Sequence, residues 1–259
     1  MPINIQNTQD LPASAIKGVV YGPAGWGKTV LCSTAPTPLI ISAEMGLLSL
    51  RGLDVDYVEV HSIEEIGEAF LMIAEPETCQ YETVCLDSVS DVAECMLAEL
   101  KPQFTDKRQA YGEMADKMLK LLRALRNLSH INVIVTAKAR HIVSDIGVSS
   151  FVPSCPGQVL PEAIPYIFDL MMPIKIGKLE DGSTYRFLQT QPSLKWAAKD
   201  RSGLLDPVEE PNLAKLFYKI QTGGYTEEYY ESSEYETEEE QELLEGVDEV
   251  EPDSMDVDS

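Results

Sequence analysis

The chain has 259 residues, 44% of them hydrophobic, which is enough for one sizeable α/β core with appendages or for two small domains. No run approaches the ~20 apolar residues of a membrane helix, and the N-terminus lacks the basic and apolar regions of a signal peptide, so a cytoplasmic protein with no membrane partner is expected. The formal net charge of −23 is concentrated in a tail: positions 221–259 hold 16 Asp or Glu and no Lys or Arg, which leaves 27 acids against 20 bases, a net of −7, over the first 220 residues.

In chain order, residues 1–15 are a polar arm in which Ile3 and Ile5 are the early apolar pair; the arm is either loose or adds a strand to a neighbouring subunit. Ile16 to Tyr21 reads as a short buried strand. Gly22-Pro23-Ala24-Gly25-Trp26-Gly27-Lys28-Thr29 then fits G-x-x-x-x-G-K-[ST] without a mismatch, and Val30 to Ser33 opens a helix. In such a loop the glycines let successive backbone N–H groups turn toward one anion, and the helix N-terminus adds partial positive charge. Residues 22–30, through Val30, are therefore the candidate ATP-binding segment; Lys28 would reach the β- and γ-phosphates, and the Thr29 hydroxyl would ligate Mg²⁺.

Pro38 to Ser42 is a second buried strand, ending at Ala43-Glu44, and Val55 to Val60 alternates as a third. Ser62-Ile63-Glu64-Glu65 has the form of a capping box opening a helix to about Ala74. Thr83 to Ser88 is an apolar strand with Asp87 at its C-terminal end, some sixty residues after the phosphate loop, which suits a carboxylate holding Mg²⁺ opposite Thr29.

Two helices are expected at Ser90–Leu100 and Gly112–Leu128, the second with Met114, Met118, Leu121, Leu122, Leu125 and Leu128 as its sheet-facing stripe. Residues 101–111 between them read as a polar loop mixing bases with Phe104 and Tyr111. A fifth strand spans Ile131–Thr136. Residues 142–165, with four prolines, read as a long loop; Ile167–Ile176 and Thr184–Thr190 then form a hairpin about Asp181-Gly182. Lys195, Lys199 and Arg201 form a basic patch, a helix follows from about Asn212 to Ile220, and the acid-rich remainder has too few apolar residues to fold. Cys32, Cys79, Cys85, Cys95 and Cys155 are an odd set without a C-x-x-C pair and read as reduced thiols; His61, His130 and His141 lack metal-ligand spacing.

This order of parts resembles a RecA-like recombinase core over about residues 14–205, most nearly the short phage-encoded ATPases of that family that promote single-strand annealing and recombination. Ile41-Ser42-Ala43-Glu44 resembles the family's second-strand motif, Leu86-Asp87-Ser88-Val89 its metal-binding strand, and Tyr111 to Met114 with Val133 to Arg140 the segment between its two DNA-facing loops. The resemblance implies an α/β fold with a mostly parallel sheet flanked by helices, a C-terminal β-hairpin region, and an acidic tail; the divisions are arm 1–15, ATPase domain 16–220 and tail 221–259.

It also implies roles. Glu44 would be the general base for the water attacking the γ-phosphate, although an acid in the first turn of a helix needs no such role. Loops 101–111 and 140–160 would face single-stranded DNA, with Phe104, Tyr111 or Phe151 stacking on bases. ATP would lie between subunits of a homo-oligomer, with Lys199 and Arg201 reaching a neighbour's γ-phosphate. Lys138 stands where the recombinases carry a glutamine that couples γ-phosphate to the DNA loop. The acidic tail would compete with DNA or recruit a single-strand-binding or replication protein, or simply keep the chain in solution. The expected function is an ATPase acting on single-stranded DNA; the alternative is an ATP-dependent loader of a replication partner. A small-molecule kinase would need an arginine-rich lid, which the sequence lacks.

Overall fold

A computed structural model describes residues 15–44, 46–143, 149–179 and 181–223. The apolar run before the glycine-rich loop forms β1 (Lys17–Gly22), every residue of it buried, and α1 (Lys28–Cys32) follows the loop. Next come β2 (Pro38–Ser42), β3 (Asp56–Glu59), α2 (Ile63–Ala74), β4 (Thr83–Asp87), α3 (Val89–Leu100) and α4 (Lys107–Asn127). The later half contains β5 (Asn132–Val143), β6 (Ser149–Ser154), α5 (Val159–Ile167), β7 (Leu170–Lys178) and β8 (Thr184–Gln189). The two-residue strands β9 (Lys199–Asp200) and β10 (Val208–Glu209) and then α6 (Leu213–Thr222) complete it.

Parity along the strands builds two cores. Val19 and Tyr21, Leu39 and Ile41, Val84 and Leu86, and Val133 and Val135 fall on one face, where they meet α2, α3, α4 and α5. Their intervening neighbours Val20, Ile40, Cys85 and Ile134 fall on the other, against α1 and α6. Strands apolar on both faces belong to a sheet covered on both sides, and the central ladder is accordingly parallel, in the order β7-β1-β5-β4-β2-β3. β8 and β10 extend it antiparallel beyond β7, while β6 and β9 pair antiparallel with β5 and β7. This is the mostly parallel, helix-flanked α/β architecture expected of a P-loop protein. The chain's arm before residue 15 and its tail beyond residue 223 lie outside the described residues.

Three local expectations need correction. The 101–111 segment is not a loop: a 3-10 turn covers Lys101–Gln103, and α4 starts at Lys107, because the Asp106 carboxylate accepts the Arg108 N–H at 3.0 Å and caps it. The fifth strand does not stop at Thr136 but runs to Val143, since β6 supplies an antiparallel partner from Lys138↔Ser154 to Val143↔Ser149. Within 142–165, read as loop, α5 also forms; Pro161 stands in its first turn, where a missing N–H costs nothing. The remaining elements follow the reading closely. Ser62 Oγ accepts the Glu65 N–H at 3.1 Å, and Glu65 returns to the His61 N–H at 2.6 Å, a capping pair that contributes about 1 kcal/mol. Gly182, at φ 83°, makes the β7–β8 turn, and Asn212 caps α6 by accepting the Lys215 N–H.

Candidate nucleotide site

The glycines of the phosphate loop are fixed by what surrounds them. A Cβ on Gly22 would lie 2.8 Å from Ile174 Cγ2, so only glycine lets β1 end this close to β7. Gly27 holds φ 95° as the N-cap of α1, a conformation that L side chains resist, and a Cβ there would meet Arg186 Nε at 3.2 Å. The Lys28 ammonium is folded against the loop, donating to the carbonyls of Gly22 at 2.9 Å and Pro23 at 2.8 Å, which leaves one N–H for a ligand. Burial lowers its pKa, opposed by the nearby charges of Asp87, Glu44 and Asp91.

The Thr29 hydroxyl donates to Asp87 Oδ2 at 2.6 Å, and the second oxygen of that buried carboxylate accepts from the Thr136 hydroxyl on β5. The peptide between Asp87 and Ser88 is cis. A threonine hydroxyl and a carboxylate at this separation form an all-oxygen donor pair suited to a hard divalent cation, so these residues fit Mg²⁺ and the polyphosphate that accompanies it.

Glu44 reaches the same end of the sheet through register. Ser42 on β2 lies opposite Asp87, the Ala43 N–H donates to the Asp87 carbonyl at 2.9 Å, and Ser42 Oγ donates to the Glu44 carbonyl at 2.6 Å. Partial burial raises the Glu44 carboxyl pKa, with Asp91 and Asp87 adding to the rise and Lys28 and Lys138 opposing it. Lys138, on β5 opposite Gly22, donates to Asp91 at 2.8 Å and to Glu94 at 2.9 Å; burial disfavours its charge, but these two hydrogen bonds raise its pKa on balance.

A cavity of about 960 Å³ opens at these strand ends and is lined by Gly22, Pro23, Ala24, Gly25, Gly27, Lys28, Thr29, Val30 and Glu44, with Lys138 and Arg186. Trp26 stands apart: its ring centroid is 6.2 Å from that of Trp196, and its carbonyl accepts from Arg186 Nε at 3.1 Å. Lys199 and Arg201 do not line the cavity. Lys199 donates to the carbonyls of Pro165 and Phe168, each at 2.6 Å, and Arg201 pairs with Asp169 at 2.8 Å. Of the aromatic residues expected to stack on bases, Phe151 is itself stacked on Trp196 at 4.4 Å, while Tyr111 is partly exposed beneath the Lys101 ammonium.

Thr136 and Arg186 belong to none of the nucleotide-binding motifs that the sequence displays. Thr136 is the last residue of the expected fifth strand, a position where a polar side chain signals the ligand end of a sheet. Arg186 carries no comparable signal, because hairpin pairing alone brings it to the loop.

Comparison with known families agrees with this geometry: the family model for an AAA domain matches residues 14–202, from the strand before the phosphate loop to just past Arg201. A search of curated proteins finds no match. With the phosphate loop, the Thr29–Asp87 pair and Glu44 gathered at one edge of a helix-flanked parallel sheet inside the matched span, the chain belongs to the AAA-domain family of P-loop ATPases.

Proposed function

We propose that the chain is a RecA-like ATPase that acts on single-stranded DNA in phage recombination, annealing or replication, in the cytoplasm of the bacterial host and as a homo-oligomer with ATP at its subunit interfaces. The observation that carries the reading is the meeting of Lys28, Thr29 and Glu44 in one cavity, with buried Asp87 hydrogen-bonded to Thr29 behind it, at the base of the β5–β6 hairpin. The loop amides and Lys28 hold the β- and γ-phosphates. Thr29 and Asp87 hold Mg²⁺, which when bound supplies charge neutralisation on the phosphate oxygens. Glu44 accepts a proton from water as the water oxygen bonds to the γ-phosphorus and the bond to the bridging oxygen breaks, releasing ADP.

The DNA part of the reading rests on the hairpin. Arg140 and His141 lie on β5, and Lys195 is held beside β6 by its carbonyl, which accepts the Phe151 N–H at 2.6 Å. This hairpin is joined to the phosphate loop: the Tyr21 hydroxyl, one residue before Gly22, contacts the Phe151 carbonyl at 3.0 Å, and Trp196 touches both Phe151 and Trp26. A strand bound there would pull on the loop through these contacts. Single-stranded oligonucleotide is therefore expected to raise ATP hydrolysis severalfold in a steady-state assay; hydrolysis indifferent to oligonucleotide and stimulated by a replication protein would favour the loader instead.

Lys199 and Arg201 are proposed to act on a neighbour's γ-phosphate, released from their own carbonyl and carboxylate partners on assembly. Arg201→Ala protein is expected to bind nucleotide and turn over about 10³-fold more slowly. Mixing it with Lys28→Ala protein should restore activity, because some interfaces then pair an intact loop with an intact arginine. Mixed assemblies that stay inactive would refute the trans assignment.

A further inference from the structure

We infer that Arg186 of β8 supplies, from the same chain as the phosphate loop, a cation for the phosphates of the bound nucleotide; this rests on the nucleotide reading above. The charges around the cavity lead to it. Lys28 and Lys138 face Glu44, Asp87, Asp91 and Glu94, so two ammonium groups stand among four carboxylates. A polyphosphate entering that field needs further positive charge nearby.

Lys199 and Arg201 are engaged by their own chain away from the cavity. Arg186 is differently placed. It lines the cavity, its Nε donates to the Trp26 carbonyl, and its Cδ and Nε lie 3.3 and 3.2 Å from the Cβ position of Gly27. Among the described residues no carboxylate lies within ion-pair distance of it, and four of its five N–H donors have no partner.

The placement is built by the fold. Arg186 sits opposite Ile176 in the β7–β8 ladder, and β7 is the direct neighbour of β1, which ends in Gly22. The bond to Trp26 aims a planar fork at the loop, and such a fork matches two phosphate oxygens. The Trp26 carbonyl thus orients the guanidinium, and the phosphates take its outward N–H groups.

The test uses the full chain, with ADP and a non-hydrolysable ATP analogue, followed by calorimetry at low and high salt. Arg186→Ala is expected to bind both about tenfold more weakly, with the loss largest at low salt, where charge is least screened. Arg186→Gln, which keeps an N–H near Trp26 but no charge, is expected to lose the same factor and serves if the alanine variant does not fold. Wild-type affinity in either folded variant, beside binding lost in Lys28→Ala, would overturn this inference and leave the nucleotide site standing. Wild-type affinity in Lys28→Ala as well would overturn the nucleotide reading and this inference together.

Discussion

Glu44→Gln is expected to lower ATP turnover by about 10²- to 10⁴-fold while nucleotide affinity stays close to that of the wild type, because the amide keeps the size of the side chain and cannot accept the proton from water. The pH dependence sharpens the test. Burial and the charges of Asp91 and Asp87 raise the Glu44 carboxyl pKa, so its protonated, inactive form persists to higher pH than for an ordinary glutamate. Turnover should therefore be constant above this raised pKa and fall tenfold per unit below it, with the acid limb shifted upward. The glutamine variant should show residual turnover without that limb. Pre-steady-state and steady-state hydrolysis across pH measure both; a variant that keeps wild-type turnover would remove Glu44 from the reaction.

Lys28→Ala should abolish nucleotide binding at concentrations that saturate the wild type, a loss of about 10- to 200-fold in affinity for each charge-assisted phosphate contact removed. The sign of the stability effect makes this test clean. Burial lowers the Lys28 pKa, so folding disfavours its charge, and that cost disappears in the variant. The Gly22 and Pro23 carbonyls lose one donor each in exchange, and the two changes oppose one another, so the melting temperature should stay near that of the wild type. Equilibrium binding beside thermal unfolding separates the two quantities: lost binding with retained stability identifies Lys28 as a phosphate ligand, and retained binding refutes it.

Much of the candidate site is legible in the sequence because its motifs are local. The spacing from Gly22 to Thr29 sets the loop geometry within eight residues, and the apolar runs ending at Ser42 and Asp87 announce strands whose C-terminal ends carry acids. Glu44 comes from the family resemblance, and the parallel pairing of β2 with β4 brings it to the same edge as Asp87. The structure departs from the sequence expectation where a partner outweighs a local signal. Gly112 looked like a helix start, yet Asp106 caps α4 six residues earlier. The prolines of 142–165 looked like loop, yet β5 offers a ladder to Pro153, and Pro161 falls in a helical first turn.

The sequence by itself determined the phosphate loop, the acidic residues near it and the apolar strands, because each depends on periodicity or spacing within a dozen residues, while the parallel sheet between helices is implied by the resemblance and borne out by the strand ladder. Tertiary structure alone decided which cations face the cavity. Lys138 reaches the cavity through its register with Gly22, and Thr136 reaches Asp87 across 49 residues. Arg186 reaches Trp26 across 160 residues, while Lys199 and Arg201 close onto their own chain. A lysine or arginine side chain is long and carries its charge at the tip, so the strand pairing that sets its root, and not its neighbours in sequence, chooses its partner.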